Sequence, residues 1–349
     1  MSNQLQTVPE RVSNWVKTWV ATQNTSETPQ IEMLAGDGSQ RNFFRVSMGP
    51  RTVVVLDDKS WVSSKDYAPH QEYLLQRGIA VPRFLSIDET VGIGVLEDLG
   101  DELLQSTIRR VQKNREVTMN WFKMSVALLA DLHGKTYPVP KTLPASTRFF
   151  DEEKYTHEMK FTWEHLVKGF LKMDTPFPER AMRKYCYTLG AMGPPVFCHR
   201  DYHTRNILVF NQKLFLIDFQ DARLGSPVYD LASLLYDPYV ALSSDEREEL
   251  EQHYRASLSS YSVSQSIFWK NFSHDLKWVA IQRLVKAAGS FASFYTRFQR
   301  PAHLVYLLPA LQSVQKLLTE CKVPQDLFPV AEWISRSQAQ LAELGIKTA

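Results

Sequence analysis

The chain has 349 residues, a formal charge of +2 and 44 % hydrophobic residues, with aromatics at 12 %. It is too apolar and aromatic for a disordered chain, and so even a charge lacks the broad basic surface of a general nucleic-acid binder. Glycine is scarce at 14 residues, and GxGxxG, GxxxxGK[ST], GxSxG and HExxH are all absent, so dinucleotide-binding, Walker-type, α/β-hydrolase and zincin readings lose their main support. The length predicts two domains or lobes. Cys186, Cys198 and Cys321 form no CxxC and no even framework, which fits a reducing compartment without structural zinc. No basic-then-apolar leader and no run of ~18 apolar residues is found, so a cytoplasmic protein with no membrane association is expected.

In chain order, Pro9 with Val12, Trp15, Val16 and Trp19 has helical spacing. Arg41 to Ser47 and Thr52 to Asp57 read as strands around a Gly49-Pro50 turn. Lys65 to Arg77 predicts a helix closed by Gly78, and Val81 to Ile87 and Gly92 to Leu96 predict two more strands. After Gly100 the pattern turns helical. Met119, Phe122, Val126, Leu129 and Leu132 share a face, and Asp151 to Gly169 and Glu179 to Leu189 are further helices. Pro195 to His199, Ile207 to Phe210 and Lys213 to Asp218 interrupt them as short strands, the last two joined by a turn at Asn211-Gln212. From Tyr229 onward the pattern is helical. The fold class is α+β, with a small antiparallel-sheet lobe over 1–97, a hinge near 97–101, and a large helical lobe over 98–349.

Chemically capable residues concentrate in His199-Arg-Asp-Tyr-His-Thr-Arg-Asn206 and Asp218-Phe-Gln-Asp221. Asn206 follows Asp201 by five positions on a tight loop, and Asp218 follows Asn206 by 12, at the end of a hairpin. A hairpin returns its ends to one place, so the three side-chain oxygens can converge. Phosphoryl transfer needs such a set: a carboxylate to orient the hydroxyl nucleophile, and hard oxygen ligands for Mg²⁺ on ATP.

HRDYHTRN followed by DFQD resembles the catalytic loop and metal motif of the aminoglycoside phosphotransferase and choline kinase superfamily. The resemblance extends over most of the chain. It includes Gly36-Asp-Gly-Ser-Gln-Arg-Asn-Phe-Phe-Arg-Val, Gly78-Ile-Ala-Val-Pro-Arg, Val95-Leu-Glu-Asp-Leu-Gly, Leu129-Ala-Asp-Leu-His and Ser226-Pro-Val-Tyr-Asp-Leu-Ala-Ser-Leu. It implies a bilobal protein-kinase-like fold and an ATP- and Mg²⁺-dependent kinase acting on a small molecule. By the same resemblance Asp201 is the catalytic base or orienting group, Asn206 and Asp218 hold Mg²⁺, and Asp230 buttresses the catalytic loop. Glu97 to Leu99 present backbone groups to adenine, and Ser39, Gln40 and Arg41 lie over the phosphates. DFQDA, the phosphate turn and Ile281-Gln-Arg-Leu-Val-Lys-Ala-Ala-Gly-Ser-Phe are most similar to bacterial kinases of cell-wall recycling. Those phosphorylate the anomeric hydroxyl of N-acetylmuramate and N-acetylglucosamine.

One departure stands out. The superfamily's phosphate-binding lysine would fall near Leu56 or Asp57, and Lys59 comes two or three positions late. Arg41 or Arg45 is a candidate replacement, and Glu72 a candidate helix carboxylate. Other residues keep two readings. Arg205 either neutralises the transferring phosphoryl group or is a solvated loop cation. His203, Asp221 and Arg223 either meet substrate or make loop contacts. Asp237 either binds sugar hydroxyls or simply ends a helix before Pro238. Arg283 and Lys286 share a helix face, and a solvated basic face is favoured over a substrate carboxylate site. Residues 240–349 hold 12 Lys and Arg against 10 Asp and Glu, which weighs against a polycationic acceptor. The alternatives to an amino-sugar kinase are a choline- or aminoglycoside-type kinase and a catalytically inactive nucleotide-binding module.

Overall fold

The computed structural model describes residues 8–23, 25, 27–34, 41–59, 61, 65–323 and 327–347. The chain forms two compact units, residues 1–102 with 208–220, and residues 103–207 with 221–349. Among the described residues no helix is long and apolar enough to cross a membrane.

The first part of the chain runs α1 (Glu10–Ala21), β1 (Gln30–Leu34), β2 (Asn42–Met48), β3 (Arg51–Asp57), α2 (Tyr67–Gln76), β4 (Phe84–Asp88) and β5 (Ile93–Glu97). The strands make one antiparallel sheet ordered β1-β2-β3-β5-β4. Alternation along β2 and β3 puts Phe44, Val46, Val53 and Val55 on one face, where α1 lays down Val12, Val16 and Val20. β1 was not anticipated. It is a short edge strand, paired from Gln30↔Ser47 to Leu34↔Phe43. Its Gln and Glu sit on the exposed face, so its apolar content is low.

The remainder runs α3 (Leu104–Val111), α4 (Arg115–Lys135), α5 (Glu152–Thr162), α6 (Glu179–Gly190), β6 (Val196–Cys198), β7 (Ile207–Phe210), β8 (Lys213–Leu216), β9 (Arg223–Gly225), α7 (Val228–Leu235), α8 (Ser244–Leu258), α9 (Phe272–Phe298), α10 (Leu307–Cys321) and α11 (Val330–Glu343). The helix expected over 151–169 is α-helical only to Thr162 and then widens to a π-helix over Trp163–Phe170. The β7–β8 turn is built on Asn211 and Gln212, both left-handed at φ 48° and 60°, as a tight hairpin requires. This hairpin groups with the sheet unit, where Leu216 N–H donates to Ala80 O and Val209 N–H to Glu102 O.

α9 is the axis of the helical unit. From Val279 to Val285 every residue is buried, including Gln282 and Arg283. At Gly289 an added Cβ would lie 2.4 Å from Thr162 Oγ1 and 2.7 Å from Thr162 Cα, so only glycine lets α9 approach α5 this closely. That approach brings the polar stretch of α9 against Glu158 and the catalytic loop.

Candidate active site

The loop 199–206 leaves β6, which pairs with β9 from Val196↔Gly225 to Cys198↔Arg223. Its first turn is clamped from below by Asp230, a fully buried residue in the first turn of α7. The Asp230 carboxylate accepts His199 N–H at 2.6 Å and Arg200 N–H at 3.0 Å, and His133 Nε2 lies 3.5 Å away. The clamp holds Arg200 at φ 83°, a conformation costing a non-glycine residue about 1–3 kcal/mol. The far end is tied by Asp237. Its carboxylate accepts Thr204 N–H at 2.9 Å, Thr204 Oγ1–H at 2.6 Å and Tyr239 N–H at 2.8 Å. Asp237, read from sequence as a sugar ligand or a helix end, therefore spends both oxygens on its own chain, and burial pushes its pKa up.

Between these ties Asp201 projects into a small cavity lined by His203, Ser233, Tyr239, Arg283 and Lys286. Its carboxylate is surrounded by cations. Lys286 Nζ is 2.8 Å from Oδ1, Arg283 Nη1 is 3.3 Å from the same oxygen, and Arg200 Nε is 3.7 Å from Oδ2. Burial pushes the carboxyl pKa up, but the attraction of Lys286, Arg200 and Arg283 outweighs it and holds the group well below the usual range. Arg283 is anchored by a 2.9 Å bond to Tyr229 Oη and lies over that ring, and Arg200 pairs with Asp221 at 3.0 Å. Behind them Glu158 accepts Gln282 Nε2–H at 2.9 Å and pairs with Lys154 at 3.1 Å. The reading of Arg283 and Lys286 as a solvated face fails, since their side chains are 9 % and 13 % exposed and both point at Asp201.

Asn206 donates its side-chain Nδ2–H to the Asp201 carbonyl at 2.9 Å, and its Oδ1 takes no donor among the described residues. His203 packs edge-on against Tyr239, and burial drives its pKa down to about 3, so its ring is neutral. Arg205 lies over the Tyr239 ring at 4.9 Å, with His303 3.5 Å from Nη1. Asp221 is exposed and holds Arg200, while burial and the repulsion of Arg200 and Arg148 lower the pKa of Arg223.

In the sheet unit, Asp218 follows β8 in a left-handed conformation, φ 66°. It accepts Arg41 Nη2–H at 2.6 Å and Gln220 Nε2–H at 3.0 Å, both on Oδ1. Ser39 and Gln40 lie outside the described residues. Arg45 is committed elsewhere, with four short bonds to Asp98 and Asp101, and so is not a phosphate ligand in waiting. At the position expected for the superfamily lysine, Asp57 is buried and paired with Arg11 of α1. Glu72 is exposed and bonds Gln76 within its own helix. Glu97 exchanges bonds with the Arg83 backbone, and Leu99 is buried. Asn206 and Asp218 offer hard oxygen donors, the chemistry a divalent ion such as Mg²⁺ takes.

The model of the phosphotransferase enzyme family matches residues 30–263 of the chain. A protein of Neisseria meningitidis serogroup B named N-acetylmuramate/N-acetylglucosamine kinase is 26 % identical over 295 residues, covering 81 % of this chain and 84 % of that protein. Among solved structures, a choline kinase from Streptococcus pneumoniae superposes with a TM-score of 0.60 at 16 % identity, over 88 % of this chain and 100 % of that one. An amicoumacin kinase in complex with AMP-PNP and Ca²⁺ superposes with a TM-score of 0.59 at 15 % identity, over 90 % and 95 %. The expected fold class, α+β of the protein-kinase-like type, is the one observed.

Proposed function

The chain belongs to the phosphotransferase enzyme family and is an ATP-dependent kinase of small-molecule hydroxyls, and from that premise we propose that its acceptor is an amino sugar of cell-wall recycling, N-acetylmuramate or N-acetylglucosamine, phosphorylated at the anomeric hydroxyl. The observation that carries this reading is the charge around Asp201. Arg200, Arg283 and Lys286 all face the carboxylate that receives the acceptor. A polycationic aminoglycoside or a quaternary ammonium would be repelled there, whereas a neutral or acidic sugar is not. Tyr239, an aromatic face that a quaternary ammonium would use, is covered by Arg205.

In this reading Asp201 accepts a hydrogen bond from the anomeric hydroxyl and aims its oxygen at the γ-phosphorus. Asn206 and Asp218 are the protein oxygens for the divalent ion, Mg²⁺ in a cytoplasmic setting. When bound, that ion neutralises charge on the phosphates. Arg41 keeps a cation beside Asp218 at the phosphate turn, and Glu97 to Leu99 offer backbone groups to adenine. An anomeric hydroxyl is more acidic than an ordinary alcohol, which suits a carboxylate held at low pKa.

ADP release measured over a panel of amino sugars, choline, ethanolamine and aminoglycosides tests the acceptor. The expected result is a kcat/KM for one of the two amino sugars at least about tenfold above every cationic acceptor, a gap of about 1.4 kcal/mol. The product should have lost its reducing end. Preference for a cationic acceptor, or a product that still reduces, rejects the reading. Separately, Asp218→Asn is expected to weaken Mn²⁺ binding by at least about tenfold in calorimetric titration with AMP-PNP present. Unchanged binding would remove Asp218 from the metal site.

A further inference from the structure

The three cations around Asp201 are not equivalent. Arg283 has a second anchor in Tyr229 Oη and its ring, and Arg200 has one in Asp221. The Lys286 ammonium has Asp201 as its one hydrogen-bond partner among the described residues, and it is carried on a flexible four-carbon stem that lines the acceptor cavity. A hydroxyl bound to Asp201 sits about 2.6–3.2 Å from the carboxylate. With Nζ 2.8 Å from the same carboxylate, the phosphorus that this hydroxyl attacks comes within reach of the ammonium.

We propose that Lys286 is a catalytic residue, whose ammonium swings from Asp201 to the phosphoryl group as that group passes to the acceptor. The inference rests on Asp201 as the group that receives the acceptor hydroxyl. The acceptor O–H proton moves to Asp201 as the acceptor oxygen bonds to phosphorus. The bond from phosphorus to the bridging oxygen breaks, and its electron pair leaves with ADP. Lys286 keeps its three protons and supplies charge alone. Its departure also removes one of the three cations that hold down the basicity of Asp201, at the moment when Asp201 must take a proton. Arg200 and Arg283 stay behind, so the carboxylate is never left uncompensated.

The charge of Lys286 depends on every group packed against it. Burial lowers its pKa and Asp201 raises it. Arg283 on its own helix and Arg200 on the loop lower it, Glu158 of α5 raises it, and the result is about 8. Lysine is charged below that value, so kcat should fall as pH rises through about 8.

The test compares wild type, Lys286→Met and Lys286→Arg by kcat from pH 6.5 to 9.5, by AMP-PNP binding, and by near-ultraviolet circular dichroism. Lys286→Met should lose about 10²–10³ in kcat at pH 7, the cost of removing one preorganised charge, with AMP-PNP affinity within about threefold. Lys286→Arg should keep measurable turnover and carry no alkaline limb up to pH 9.5. The proposal is overturned by a Met variant within threefold of wild type, by equal loss of binding and turnover, or by an unmoved limb in the Arg variant. If the Met variant fails to fold, the Arg profile decides. Should wild type phosphorylate neither amino sugar, the acceptor reading fails by itself, and the same comparison runs on whichever acceptor turns over or on slow ATP hydrolysis.

Discussion

Asp201→Asn is expected to lower kcat by about 10³–10⁴ while AMP-PNP still binds. A positioned acid or base contributes about 10²–10⁴, and orientation of the hydroxyl adds to it. The amide is isosteric but cannot take the proton, and one of its two ends presents N–H to Lys286 or Arg283. The substitution also strips the counter-charge from three cations. Breaking a fully buried pair costs about 3–5 kcal/mol. Here the cost should be smaller, about 1–3 kcal/mol, because the Asp201 side chain is 28 % exposed and Arg283 and Arg200 keep Tyr229 and Asp221. That corresponds to a melting temperature lower by a few degrees. Asparagine is a better probe than alanine, since alanine removes the atoms that fill the loop as well. Turnover within tenfold of wild type would remove Asp201 from the chemistry.

What the sequence made legible is what it keeps local. Asp201, Asn206 and Asp218 lie within 18 positions, and the Asn211-Gln212 turn between two apolar strands is a short-range signal. The sheet was legible wherever alternation was strong, in β2, β3 and β5. It was lost where a strand is short or half polar, in β1 and in β9, which has only three residues. Long-range pairings were out of reach. Nothing around Asp237 announces that its oxygens belong to Thr204, 33 positions earlier, and nothing around Arg41 announces Asp218, 177 positions later. Arg283 and Lys286 were misread because charged residues on helices usually face water. A corrective signal was nonetheless present. Val279-Ala-Ile and Leu284-Val285 bracket Gln282 and Arg283 and make the helix apolar around most of its circumference, and so apolar a helix is buried, so the charges within and beside it must be paired.

The second large effect belongs to a residue that touches no reactant. Asp230→Ala is expected to lower the melting temperature by on the order of 10 °C and to cut kcat by at least about tenfold. Two backbone N–H groups, the buried one of His199 and the half-buried one of Arg200, lose their acceptor, and an orphaned group of this kind costs about 1–3 kcal/mol. At about 2 °C per kcal/mol for a unit the size of the helical one that holds the clamp, the sum reaches the stated drop. The loss of rate has a separate cause. Arg200 holds its left-handed backbone only because both neighbouring N–H groups are fixed on one carboxylate. Freed, it relaxes toward negative φ, which turns the next residue, Asp201, away from Arg283 and Lys286. Asp230→Asn separates the two effects. It keeps one acceptor oxygen and turns an amide N–H₂ toward a backbone N–H, so about half of the stability should return while the loop stays misaligned. Thermal melts by circular dichroism, read beside kcat at a temperature where all three proteins are folded, check this. An alanine variant that melts within about 3 °C of wild type and keeps half its turnover would show that the loop holds its shape without the clamp.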